Sequence, residues 1–183
     1  DDQRAAEVIR HMRRLLKKTD VISLPLALND LTTTTIGLVS NDALLHGVTI
    51  EFRPASVLPI VYGDVVQIQQ VILNLLTNAI AAASGATTVR KVVVWTTAAP
   101  SHIEVGVHDS GPGIRDTDLE RLFEPFFTTK DEGLGLGLAI SRTIVDAHGG
   151  RLLVENDPIG GATFRLHLHT DQPGTTAVPV PPQ

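Results

Sequence analysis

The segment Gly133-Leu134-Gly135-Leu136-Gly137-Leu138-Ala139-Ile140 sets glycines alternately with leucines and runs straight into an apolar pattern of helical period. Alternation of this kind reads at first as a strand, but glycine weakens a strand interior and offers no side chain to pack. Glycine suits a backbone that must turn freely or approach something closely. A helix starting directly behind it points unpaired N–H groups into the same space, which favours anionic groups. These residues alone leave two readings open, a phosphate-type cradle and a plain hinge.

The chain around this segment has 183 residues, which suits one domain with appendages and a real core without staples. It has no cysteine, so disulfides and cysteine-ligated metal sites are excluded. A net charge of −5 and a pI near 5.7 argue against a nucleic-acid binder, which needs clustered Lys and Arg. No apolar run is expected to approach the roughly 18 residues of a membrane span, and no signal-peptide pattern opens the chain. A soluble piece of something larger is expected.

Three regions follow. Residues 4–18 place Ala5, Ile9, Met12 and Leu16 on a coiled-coil-like seam of a basic helix. Region 1–19 thus reads as the end of a longer bundle helix, or as a helix packed on its own domain. Residues 20–170 alternate helix and strand patterns. A helix is predicted from Leu24 to Leu45, with Pro25 near its start and the β-branched run Thr32–Thr35 against it. Short strands are predicted at Val48–Arg53 and Leu58–Val61. Asp64 opens the most amphipathic helix, with Gln67 completing a capping box. Strands at Lys91–Thr97 and His102–Asp109 come next, then a short helix near Asp118–Leu122 and a helix to about His148. Strands at Arg151–Asn156 and Ala162–His169 flank a turn at Pro158–Gly161. Residues 171–183 are Pro-rich and read as an unstructured tail or linker.

Three places could carry chemistry. Asn74 and Asn78 stand i,i+4, so both amides project from one helix face. An amide oxygen is a hard neutral ligand suited to Mg2+, which takes the rest of its shell from water and phosphates. The plainer alternative is a solvated polar stripe shared with Gln67 and Gln70. Second, Asp109 ends a strand and is followed by Gly111, Pro112 and Gly113, which fixes a carboxylate beside an uncrowded backbone. A buried carboxylate needs a donor, and an adenine amino group is a suitable one. A simple Asp-Ser-Gly turn is the plainer alternative. Third, Phe123, Phe126, Phe127 and Lys130 precede the glycine segment, which together suggest a lid over a nucleotide. No Gly-Lys pair exists for a phosphate loop, and G-x-G-x-G is not the dinucleotide fingerprint.

The order of these boxes, an Asn-bearing helix, D-x-G-x-G, F-x-P-F, G-x-G-x-G and Gly160-Gly161-Ala162-Thr163-Phe164, resembles the nucleotide-binding domain of bacterial sensor histidine kinases. These share the Bergerat fold with gyrase, Hsp90 and MutL, and the wording is most like soluble-core kinases with PAS sensors. The resemblance covers roughly residues 20–170. It implies an α+β, two-layer α/β sandwich, with a mixed sheet of about five strands on about three helices, preceded by an N-terminal helix.

The resemblance also assigns roles. Asn78 would hold Mg2+, with Asn74 supporting the phosphates of ATP or the metal's waters. Asp109 would accept the adenine amino proton, Gly111, Gly113 and Ile114 would shape that pocket, and Thr163 would reach it from the last turn. Thr129 and Lys130 would lie in the mobile lid. Gly133, Gly135 and Gly137, with Leu134 and Leu136 between them, would cradle the phosphates and start the helix behind. Many members carry a polar residue three positions after the metal asparagine, and here it is Ala81, so Lys130 would bear more of the charge neutralisation.

Hydrolytic relatives place a Glu four residues before the metal asparagine, and here Asn74 stands there. ATP is therefore expected to wait for another nucleophile, the histidine of a dimerising hairpin. His11 lacks the neighbouring acid and the Leu-Arg pattern, so the phosphoacceptor is expected to be absent from this chain. Further expectations from the resemblance are a response regulator receiver domain as partner, a homodimeric full-length protein and a cytoplasmic domain. A hydrolytic ATPase and a nucleotide-gated interaction module remain the alternatives. His108 and His148 read as ordinary residues at element ends. His167 and His169 share a strand face, but two histidines without a carboxylate make a poor metal site.

Overall fold

Strands with one apolar face and helices with one apolar stripe have few ways to bury both, and a sheet covered on one side by helices is among them. A computed structural model describes residues 23–129 and 133–170 and shows that solution. The seam at 4–18, His11, Lys130 and the 171–183 tail lie outside the described residues.

The described elements run β1 (Leu24–Leu26), α1 (Leu28–Leu45), β2 (Thr49–Arg53), β3 (Val61–Gly63), α2 (Val65–Ser84), β4 (Lys91–Ala98) and β5 (His102–Asp109). They continue with α3 (Asp116–Leu119), α4 (Gly137–Ala147), β6 (Arg151–Asn156) and β7 (Ala162–His169). Five strands form one mixed sheet in the order β2-β4-β5-β7-β6, with β2 parallel to β4 and the other pairs antiparallel. The expected α+β sandwich is what the chain adopts.

Helix α2 is the centre of the core. Ile68, Val71, Ile72, Leu75, Leu76, Ala79, Ile80 and Ala83 are buried at helical spacing along one stripe. Each large apolar side chain withdrawn from water there contributes about 1.5–3 kcal/mol. By length and composition α2 could also cross a membrane, with a mean hydropathy of 1.4, contrary to the expectation that no run would qualify. Its apolar stripe lies instead against β4 and β5.

The capping box at Asp64 forms in one direction. Asp64 Oδ1 accepts from the N–H groups of Val66 and Gln67 at 2.9 and 3.1 Å. Gln67 does not reach back to the cap N–H. That group donates to His148 Nε2 at 3.0 Å, while His148 Nδ1 sits 2.7 Å from the Ile144 carbonyl. One tautomer satisfies both contacts, with the proton on Nδ1. His148 thereby joins the end of α4 to the start of α2.

Three boundaries differ from the sequence reading. Leu24–Leu26 is a strand paired with Val61–Gly63, and α1 starts only at Leu28. Pro25 has no N–H to give a helix but is tolerated on an edge strand. That pairing also moves the second short strand from the predicted Leu58–Val61 to Val61–Gly63. The short helix lies at Asp116–Leu119, where Arg115 Nε meets Asp118 Oδ2 at 2.7 Å. The threonine run stays helical because Thr32 and Thr35 are fully buried, and Thr35 Oγ1 donates to the Leu31 carbonyl at 2.6 Å.

Candidate functional site

A strand that ends in an acid delivers its carboxylate to the edge of the sheet, and the following loop decides what surrounds it. Asp109 closes β5 with 3% exposure, and the Gly111 N–H donates to its Oδ1 at 2.8 Å. The loop is held from the far side by Asn156 at the end of β6. Asn156 Oδ1 accepts from the Ile114 N–H at 2.8 Å, and its Nδ2 donates to the Ile114 carbonyl at 2.6 Å. This side chain imitates a strand partner and fixes Gly113 and Ile114 in place.

Above this loop lies a cavity of about 530 Å³. Asn74, Asn78, Ala81 and Ala82 of α2 form one wall, and Asp109, Pro112, Gly113 and Ile114 form the base. Thr129, Gly133, Leu134, Gly135, Leu136 and Gly137 come from the connection that leads into α4, with Phe127 and Thr128 before them. The sequence-predicted boxes thus meet in one cleft, and Ala81 does line it without a polar group. Among the described residues that line it there is no Lys or Arg. Its polar character comes from one carboxylate, two neutral amides, Thr128, Thr129 and the N-terminus of α4.

Thr163 does not join them. It stands opposite His108 in the β5–β7 register, and its Oγ1 lies 3.1 Å from His108 Nδ1. Side chains alternate across a sheet, so Thr163 faces away from Asp109 while its neighbours Ala162 and Phe164 reach the cavity. Gly111 acts through Asp109 and is not part of the lining.

The glycine segment is a loop, as the weakness of a glycine strand suggests, and two of its positions admit no side chain. Gly135 has φ +64°, and a Cβ there would lie 2.5 Å from the Phe127 carbonyl oxygen. Its own carbonyl accepts from the Phe126 N–H at 2.9 Å, which closes the base of the connection. A Cβ on Gly137 would lie 2.3 Å from Asn74 Oδ1. Asn74 is wedged between helices, its Nδ2 donating to Ser141 Oγ at 3.0 Å. The two asparagines therefore differ: Asn74 ties α2 to α4, and Asn78 lines the cavity one turn further on. Two of the loop phenylalanines already have cationic partners, Arg142 over Phe123 and Arg121 over Phe127, each at 4.7 Å. Phe126 is 60% exposed with φ 68°.

Asn156 and Ser141 were missed by sequence reasoning. An asparagine at a strand end before Asp-Pro reads as turn chemistry, and a serine on a helix carries no signal until its partner is known.

Residues 63–172 match the family described as histidine kinase-, DNA gyrase B- and HSP90-like ATPases. The sensor protein FixL of Bradyrhizobium diazoefficiens is 40% identical over 165 residues, which is 90% of this chain and 33% of FixL. The chain spans only 18% of another relative, the sensor histidine kinase TmoS of Ectopseudomonas mendocina, at 38% identity over 92% of this chain. Among solved structures, the catalytic domain of histidine kinase ThkA is 32% identical with a TM-score of 0.72, over 81% of this chain and 95% of that one. Full-length ShkA in complex with AMPPNP is 27% identical with a TM-score of 0.78, over 88% of this chain and 34% of that one.

Proposed function

This chain belongs to the histidine kinase-, DNA gyrase B- and HSP90-like ATPase family, among its histidine kinase catalytic domains, and on that premise we propose that it binds Mg2+–ATP in the cavity beside α2. It would then donate the γ-phosphoryl group to a histidine on a dimerisation helix of the same, homodimeric protein. A response regulator receiver domain would take the phosphoryl group onward.

The observation that carries this reading is the buried Asp109 at the base of a cavity whose other end is built from amides and a helix N-terminus. An exocyclic amino group of adenine is the kind of donor that such a carboxylate recognises, and Gly113 leaves the base room. The triphosphate would then lie toward Gly135, Gly137 and the first N–H groups of α4, which favour anions. Thr129 lines this end, and Lys130 follows it in sequence.

The donor set suits Mg2+ and no softer ion, since it offers amide oxygen without sulfur or imidazole. Asn78 would supply one oxygen, and the phosphates and water the remainder. When bound, Mg2+ supplies charge neutralisation for the triphosphate. Asn74 offers no carboxylate to activate water, and its amide is already engaged by Ser141. That favours transfer over hydrolysis.

Calorimetric titration with ATP, with and without Mg2+, tests the binding. Asp109→Asn keeps an oxygen for the Gly111 N–H and so keeps the fold, but loses a charge-assisted bond of about 1.5–3 kcal/mol. Affinity should fall roughly ten- to hundredfold. Wild-type affinity in this variant would refute the assignment of Asp109. Transfer is tested separately, by adding the protein's own dimerisation hairpin and γ-labelled ATP; free phosphate released faster than the hairpin is labelled would favour the hydrolytic reading.

A further inference from the structure

The face of the sheet turned away from the described helices brings together side chains that the proposed nucleotide cavity does not use. Along β5, His102 and Glu104 stand two apart and share that face. The register sets Glu104 opposite His167 of β7 and His102 opposite His169. The carboxylate missing from the histidine pair on β7 is thus supplied by the neighbouring strand. Ligand atoms of His102, Glu104 and His167 all lie within 4.8 Å of one another.

The group is built and not merely crowded. Glu104 is 8% exposed. Its Oε1 accepts from Trp95 Nε1 at 2.8 Å and from Arg165 Nη1 at 3.0 Å, which holds the carboxylate from behind. Its Oε2 faces His167 Nε2 at 2.9 Å. The His102 ring stacks on that of His167 with centroids 4.1 Å apart. Arg165 is shared with Glu155 at 2.6 Å, so two carboxylates divide one guanidinium beside the imidazoles.

We propose that His102, Glu104 and His167 form a divalent transition-metal site of the Zn2+ class on the face of the sheet turned away from the described helices. Two imidazoles and one carboxylate are a Zn2+ donor set that leaves a fourth position to water. Imidazole ligation excludes Mg2+ and Ca2+ as natural occupants, so the site is chemically separate from the one proposed for Mg2+. The cation replaces the proton between His167 Nε2 and Glu104 Oε2, and that proton moves to Nδ1 or to solvent. The two imidazoles must unstack slightly to turn their nitrogens toward one point. Arg151 is the opposing charge: it pairs with His167 in the β6–β7 register and is exposed.

The chain carries a single tryptophan, Trp95, and it bonds directly to Glu104. Zn2+ titration followed by Trp95 fluorescence therefore reads the site, with calorimetry giving stoichiometry. One equivalent should bind with a saturable fluorescence change. His102→Ala should weaken it by at least roughly tenfold, since even a lost supporting partner costs that much, and His102→Ala/His167→Ala should abolish it. Arg151→Gln should tighten it. Because His102 and Arg151 lie at the sheet surface, these variants test the site even if Glu104→Gln fails to fold. Zn2+ binding that is unchanged in the double variant would place the metal elsewhere and overturn the proposal. So would the absence of a saturable change in wild type.

Discussion

Replacing Asn156 by Ala should loosen the proposed nucleotide cavity without replacing any residue that lines it. The side chain makes two hydrogen bonds to one residue, accepting from the Ile114 N–H at 2.8 Å and donating to its carbonyl at 2.6 Å. A net value of about 0.5–1.5 kcal/mol for each gives a total loss of roughly 1–3 kcal/mol in folding stability. The figure belongs at the upper end if Ile114 cannot find water in its place, because the site is only partly exposed. Asn156 is not among the cavity residues, so any effect on ligand must pass through the loop that carries Gly113 and Ile114. Re-ordering that loop on binding should cost on the order of 1 kcal/mol, or roughly five- to tenfold in affinity. Asn156→Asp keeps the acceptor for Ile114 N–H but sets a carboxylate against a carbonyl, so it should not rescue. Urea unfolding and ATP calorimetry on the same samples separate the two effects. Lower stability with unchanged affinity would show that the clamp serves the fold alone, and no change in either would refute the reasoning outright.

Gly135→Ala combines a left-handed φ with a Cβ at 2.5 Å from a backbone oxygen, so it should weaken nucleotide binding more than Glu132→Gln in the same loop. Hydrogen exchange across 123–136 with and without nucleotide checks this, and equal protection in both states would remove the lid from the account. Thr32→Val should stabilise the fold by about 1 kcal/mol in thermal or urea unfolding, because Thr32 Oγ1 is buried and meets no partner among the described residues. Burial pushes the Glu104 carboxyl up, but bonds from Trp95 and His167 and the charge of Arg165 outweigh this and hold it below the ordinary 4.5. Its contribution is therefore present above about pH 4.5 and lost as pH falls through the lower folded value; metal-free wild type should lose more stability than Glu104→Gln over that range.

The parts legible in the sequence were those whose signal is local. Helix α2 announces itself by its apolar stripe and by Asp64, and the β5 carboxylate by the glycines behind it. The boxes met in one cavity because all but the asparagines, which lie inside α2, sit at element ends, where the chain turns. What failed were inferences that needed a partner. Thr163 is one residue from the cavity in sequence and on the wrong face of the sheet, a parity that only the β5–β7 register fixes. Pro25 suited a helix start equally well until β3 was known to lie beside it. Asn156, Ser141 and Glu104 take their roles from residues 42, 67 and 63 positions away, beyond any pattern of period two or 3.6.

Those distant contacts also decide how the site can move. Asn74 joins α2 to α4 through Ser141, and His148 joins the other end of α4 to the Asp64 cap of α2. The two helices are laced at two points, the Asp64 cap and the middle of α2, so the amide wall and the helix N-terminus that would meet the phosphates are held together. On the opposite side Asn156 anchors the loop after Asp109. The bond between Phe126 N–H and the Gly135 carbonyl then ties the two feet of the connection into α4 together. That explains why glycine is needed at position 135, where the tether requires a left-handed backbone, and at 137, where the frame leaves no room for a side chain.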